Sequence, residues 1–207
     1  MKLQVAIDRV PLEHAIDLVK QLNQVDILEI GTSLTKDYGL DCVRQIMPHK
    51  GNAKLLADIK TMDEGAYEFR QYFDAGADIL TVMGAAAYET VAICYEEAKK
   101  YGKEVMIDLL CCDEARIEAI SHFDQAIYAL HFSKDQNEAV SLSEEVARFA
   151  RRFPHVKRIA LAGGLDVVGL QELQKTPLEI AIVGSSIINA PDPAKTLQEY
   201  KEVLEHG

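Results

Sequence analysis

The chain has 207 residues, 48% of them hydrophobic and 27% charged, a size that fits one large domain or two small ones and enough apolar material for a substantial core. Its 22 basic and 33 acidic residues give a formal net charge of -11. A surface of that sign repels phosphate backbones and anionic lipid, which excludes nucleic acid and membranes as partners and leaves room only for a local basic pocket that takes a small anion.

No run approaches about 18 uninterrupted apolar residues, so nothing is expected to span a bilayer. The opening "MKLQVAID" passes straight into strand-like sequence. Cys42, Cys94 and the adjacent Cys111 and Cys112 form no C-x-x-C and no regular framework. That argues against zinc and structural disulfides, and for reduced thiols in a cytoplasmic protein.

Taken in chain order, "LQVAID" (3–8) is the first predicted strand and closes on Asp8. Pro11 stands at the start of the helix "LEHAIDLVKQLN", where a fixed φ suits the first turn. "ILEIGT" (27–32) carries Glu29 late in strand two, and "KLLADIK" (54–60) brings Asp58 and Lys60 into an otherwise apolar strand three. The helical "FRQYFDAG" ends near Gly76, ahead of strand four, "ILTVMG" (79–84). "YETVAICYEEAKKYG" sets Val91, Cys94 and Ala98 along one helix face, gathers lysines in its last turn and stops near Gly102, as a helix C-terminus should. "EVMIDLL" (104–110) bears Asp108 and "AIYALHF" (126–132) bears His131. The last two strands, "RIALAGG" (158–164) and "IAIVGSSI" (180–187), end in small residues.

Strand starts recur every 22 to 32 residues, the length of one βα unit with its loops. No Ser/Pro/Gly-rich linker divides the chain, so residues 1–207 read as a single domain. Eight such units predict a (β/α)8 TIM barrel of the α/β class. An open doubly wound sheet usually has fewer strands, and no G-x-G-x-x-G follows the first strand here.

In a barrel, alternation puts Leu56, Asp58 and Lys60 on one face, with the two charged residues nearest the C-terminal mouth, where barrel chemistry is found. Asp8, Glu29, Asp108 and His131 reach the same mouth from other strands. Singly, each is an ordinary strand-end cap or ion pair; five strands doing the same is the signal. A buried carboxylate without a partner costs several kcal/mol, so this group must be paired, protonated or bound to metal. Gly163, Gly164, Gly184 and Ser185 follow strands seven and eight, where backbone N–H groups of barrels bind phosphate.

"DIKTMD" matches the D-x-K-x-x-D signature of the orotidine monophosphate decarboxylase superfamily. Together with "QVAID", "ILEIGT", "DAGADILTVMGA", "MIDLLCCD", "IALAGG" and "AIVGSSI", it makes nearly the whole chain resemble one branch of that superfamily: the 3-hexulose-6-phosphate synthases and 3-keto-L-gulonate-6-phosphate decarboxylases. The resemblance implies a homodimer of barrels in which Asp63 reaches into the partner's active site. It implies a magnesium ion (Mg2+) held by Glu29 and Asp58, Lys60 bonded to substrate oxygens beside the metal, and Asp8 and Asp108 orienting hydroxyls. His131 is the proton-transfer candidate, since imidazole titrates near neutral pH.

The chemistry common to the branch is a cis-enediolate. A synthase forms it by removing a proton from C1 of D-ribulose 5-phosphate and adds it to formaldehyde; a decarboxylase forms it by loss of carbon dioxide and protonates it. Asp108, where decarboxylases carry Glu, and Ser185, where they place Arg, favour the synthase. Phe132 and Ser133 stand where synthases show Thr-Gly, while Ser133 with Lys134 partly echoes the decarboxylase pattern. Bulky Phe132 beside the base also keeps a sugar-phosphate-binding protein without catalysis as an alternative. A pentulose-phosphate epimerase would need a histidine-rich metal site, and the five other histidines fall on predicted helices or loops.

Overall fold

Eight parallel strands close on themselves in the order β1 to β8 in the computed structural model, which describes residues 1–131 and 141–206. They are β1 (Lys2–Ile7), β2 (Ile27–Ile30), β3 (Lys54–Thr61), β4 (Ile79–Met83), β5 (Glu104–Asp108), β6 (Ile127–His131), β7 (Ile159–Ala162) and β8 (Ile180–Val183). The intervening helices are α1 (Leu12–Leu22), α2 (Thr32–Tyr38), α3 (Leu40–Ile46), α4 (Gly65–Asp74), α5 (Tyr88–Tyr101), α6 (Glu114–Ile120), α7 (Leu142–Arg152), α8 (Val167–Leu173), α9 (Ser185–Ile188) and α10 (Pro193–His206). The expected barrel is therefore present, strand for strand. Most predicted strands stop short at their C-terminal ends, because past the rim no neighbour remains to pair with. The eighth shows this best: it ends at Val183, and Ser185–Ile188 coils into α9.

Alternation sorts the barrel into two cores. Leu3, Val5 and Ile7 of β1, with Leu28 and Ile30 of β2, point outward under the helices. There α1 offers Ala15, Leu18, Val19 and Leu22, and α5 offers Val91, Cys94 and Ala98, each on one helical stripe. The inward side chains fill the barrel in layers of four from alternate strands. Ile27, Ile79, Ile127 and Ile180 form one layer; Gln4, Leu56, Met106 and Ala160 form the next. Each fully buried Ile or Leu contributes about 1.5–3 kcal/mol.

Above these the layers turn polar. Glu29, Thr81, Ala129 and Ile182 share the third, and Ala6, Asp58, Asp108 and Ala162 the fourth. The apolar floor thus fixes the height at which charge begins.

At the N-terminal end the barrel is closed by a chain of ion pairs. Lys2 Nζ lies 2.9 Å from Glu179 Oε1, and Arg158 spans from Glu179 (2.9 Å) to Glu104 (2.7 Å). Lys54 completes the chain on Glu104. Lys2, Lys54, Glu104 and Arg158 border a cavity of about 630 Å3 at this end. Among the described residues no helix is long and apolar enough to cross a membrane, and the four cysteines are free thiols.

Candidate active site

The predicted face-sharing of Asp58 and Lys60 fails in its simple form. Pairing of β3 with β4 passes from Ala57–Leu80 directly to Thr61–Val82, a bulge that inserts two extra residues into β3. Within it Lys60 takes a left-handed conformation, φ 50°, a strain of about 1–3 kcal/mol for a non-glycine residue. The side chain still arrives among the acids, by this bend rather than by the pleat.

There its ammonium sits between two carboxylates. Lys60 Nζ is 2.6 Å from Asp108 Oδ2 and 3.2 Å from Asp58 Oδ2. Burial lowers the lysine pKa, but the charges of Asp58 and Asp108 outweigh it and raise the value, so the group stays charged. Asp58 is held on both oxygens: Thr81 Oγ donates to Oδ1 at 2.8 Å and Thr32 Oγ donates to Oδ2 at 2.5 Å.

On the other side of the lysine, His131 Nδ1 lies 3.1 Å from Asp108 Oδ2, and the Leu110 N–H donates to Asp108 Oδ1 at 2.9 Å. Burial works against ionising Asp108, yet the His131 hydrogen bond and the Lys60 charge hold its carboxyl at about 2. An ionised carboxylate only accepts, so the proton of a neutral imidazole sits on Nδ1 and Nε2 is the free base.

Glu29 differs from its neighbours. Burial, reinforced by the charge of Asp58, pushes its carboxyl up to about 8, against the opposing effect of the 2.5 Å hydrogen bond from Gln4 Nε2. Gln4 is fully buried, and its Oε1 is the one buried side-chain polar atom without a partner among the described residues. Two carboxylates close enough to repel, with only one of them paired to a cation, fit a hard ion that prefers oxygen. No group of three or more His, Cys, Asp or Glu able to hold a metal exists among the described residues. The protein's own share is thus two carboxylates, a number that suits Mg2+, which keeps water or substrate oxygens in its remaining positions.

Asp8 stands just beyond β1, its Oδ1 accepting the Ser33 N–H (2.9 Å) and Ser33 hydroxyl (2.5 Å). A side chain at Gly31 would put its Cβ 2.7 Å from that oxygen, so the glycine is what lets Asp8 lie there. Its charge also acts on Glu29.

Asp63 does not join this group within one chain. It is exposed in the β3–α4 loop, where its Oδ1 accepts the N–H of Glu64, itself left-handed at φ 52°. Large apolar side chains lie exposed on the same flank: Met62 (53%) beside it, Tyr67 (64%) on α4, and Ile93 on α5, which packs against α4.

Of the glycine turns, Gly163 (φ 147°) and Gly164 (φ 56°) follow β7 in conformations that other residues rarely adopt, and Gly184 and Ser185 follow β8. The Ser186 hydroxyl donates to Leu165 O at 3.2 Å, and Tyr200 of α10 donates to Ser186 Oγ at 3.0 Å, tying one turn to the other. Sequence reasoning missed Gln4, Thr32, Ser33, Thr81 and Tyr200. For Gln4 and Thr81 the signal existed, since both share the inward parity of their strands. Phe132, Ser133 and Lys134 lie outside the described residues.

Residues 1–200 match the Orotidine 5'-phosphate decarboxylase / HUMPS family. The chain is 35% identical to the 3-hexulose-6-phosphate synthase of Bacillus subtilis (strain 168), over all of both sequences. It is 30% identical to that of Staphylococcus haemolyticus (strain JCSC1435), over 99% of each. Among solved structures, 3-hexulose-6-phosphate synthase from Salmonella typhimurium superposes with a TM-score of 0.91 at 32% identity, covering 100% of both chains. KGPDC from Streptococcus mutans, solved with a sugar phosphate bound, shares the fold, with a TM-score of 0.89 at 22% identity over 99% of this chain and 97% of the other.

Proposed function

Because the chain belongs to the Orotidine 5'-phosphate decarboxylase / HUMPS family, we propose that it is a 3-hexulose-6-phosphate synthase. It joins D-ribulose 5-phosphate to formaldehyde and releases D-arabino-hex-3-ulose 6-phosphate. The observation that carries this reading is the Lys60 ammonium held between Asp58 and Asp108, with His131 on the same Asp108 oxygen. Curated relatives at 30–35% identity over the full length bear the synthase name, and Asp108 and Ser185 are the synthase-like choices at their positions.

His131 Nε2 takes the proton from C1 of the pentulose, and Asp108 keeps the imidazole in the tautomer that leaves Nε2 free. Negative charge then develops on two adjacent oxygens, and Lys60, already charged and aimed, donates hydrogen bonds to them. Glu29 and Asp58 would hold Mg2+, which supplies Lewis-acid stabilisation of the same developing charge. C1 attacks the formaldehyde carbon, a new C–C bond forms, the former C2 carbonyl is restored, and the histidine returns its proton to the new hydroxymethyl oxygen. Asp8 accepts from a substrate hydroxyl, and the turns at Gly163, Gly164, Gly184 and Ser185 offer N–H groups to the phosphate.

In the proposed homodimer Asp63 of each chain completes the site of the other. The exposed Met62, Tyr67 and Ile93 give that contact an apolar surface. Incubation with D-ribulose 5-phosphate, Mg2+ and formaldehyde should consume the aldehyde. No consumption, together with prompt decarboxylation of 3-keto-L-gulonate 6-phosphate, would move the protein to the sister activity.

A further inference from the structure

Four non-glycine residues have positive φ among the described residues, and only Lys60 of these lies within a strand. The bulge that accommodates it leaves its N–H without a partner in the sheet, because β4 runs only from Leu80 to Val82 while β3 runs from Ala57 to Thr61. Thr81 Oγ takes that N–H at 2.9 Å. The same hydroxyl gives its own proton to Asp58 Oδ1 at 2.8 Å, and Asp58 Oδ2 meets Lys60 Nζ. The polarity is unambiguous: an amide N–H only donates, a carboxylate only accepts, and the hydroxyl between them does each once. Thr81 is 3% exposed, so water has almost no access to replace it. Leaving a buried N–H unpaired carries a penalty similar in size to left-handed strain. Without the hydroxyl, nothing opposes relaxation of the bulge.

We propose that Thr81 is a positioning residue for the reaction: its hydroxyl locks Lys60 in the left-handed bulge and thereby aims the ammonium between Asp58 and Asp108. The role acts through Lys60, not through substrate, and it rests on the function proposed above.

The test compares Thr81→Ser with Thr81→Ala, which lose the same methyl group and differ by one oxygen. Serine should keep kcat within about threefold of wild type, and alanine should lower it by about thirtyfold or more, with KM for D-ribulose 5-phosphate changed less than about threefold. Hydrogen exchange of the Lys60 amide, followed by NMR, should be slow in the wild type and the serine variant and fast in the alanine variant. Equal kcat in the two variants overturns the proposal. If the wild type lacks synthase activity the functional reading fails, and the exchange rates alone then decide: equal protection overturns the lock, unequal protection upholds it. Thr81→Val, which restores the volume without the oxygen, replaces the alanine variant if that one does not fold.

Discussion

The two mouths of the barrel both carry charge, and they use it in opposite ways. At the N-terminal end each carboxylate of the ion-pair chain meets two cations: Glu104 has Lys54 and Arg158, and Glu179 has Lys2 and Arg158. The Arg158 hydrogen bond holds Glu179 at about 2. At the C-terminal end one ammonium serves two acids, the lysine that bears it is strained, and Glu29 is pushed up to about 8 by burial and Asp58. Within one fold and similar burial, the difference is stoichiometry. A matched set stabilises the barrel; a set short of a cation is built to receive one, and a substrate with it.

Breaking the deficient end should damage chemistry first. Lys60→Ala is expected to lower turnover of D-ribulose 5-phosphate and formaldehyde by about a thousandfold, while circular dichroism stays that of a folded barrel; near-wild-type turnover would remove Lys60 from the mechanism. Breaking the matched end should do the reverse. Arg158→Met strips both glutamates of their shared cation and should cost about 2 kcal/mol, a fall in Tm of about 4–8 °C, with kcat of the folded protein within about twofold. A large loss of kcat at unchanged Tm would erase the division of labour between the ends.

Smaller effects sharpen the contrast. Millimolar Mg2+ should raise the wild-type Tm by about 3 °C and leave Glu29→Gln unmoved; an equal shift in both would place the ion elsewhere. The smallest effect concerns acid. Because the folded pKa of Glu179 lies below its ordinary 4.5, its contribution is full above that value and is lost as pH falls from about 4.5 toward about 2. Glu179→Gln should therefore be less stable than wild type at pH 7 by about 1 kcal/mol, screening by solvent limiting the gain. The gap should close by about pH 2 in denaturant titrations, and a gap that persists there would show the contribution to be uncharged.

The eight strands were legible because each is a short apolar run set off by turn residues, and that punctuation is local. Glu29, Asp58, Asp108 and His131 were legible by parity, since each interrupts such a run near its end. The bulge was not. A period-2 reading assumes no inserted residues, and lysine carries no signal of positive φ. Thr81, in "ILTVMG", passes for an ordinary strand former because β-branched residues favour strands. The lower ion-pair chain was hidden for a different reason: Lys2 and Glu179 are 177 positions apart, and each looks like a routine strand-boundary charge until the barrel closes.

The bond from Tyr200 to Ser186 has a reach out of proportion to its size. It makes α10, which packs against α1 and α8, a brace for the two turns expected to grip the phosphate. Damage to that final helix should therefore be felt first as a loosened hold on the anionic end of the sugar, long before the barrel itself comes apart.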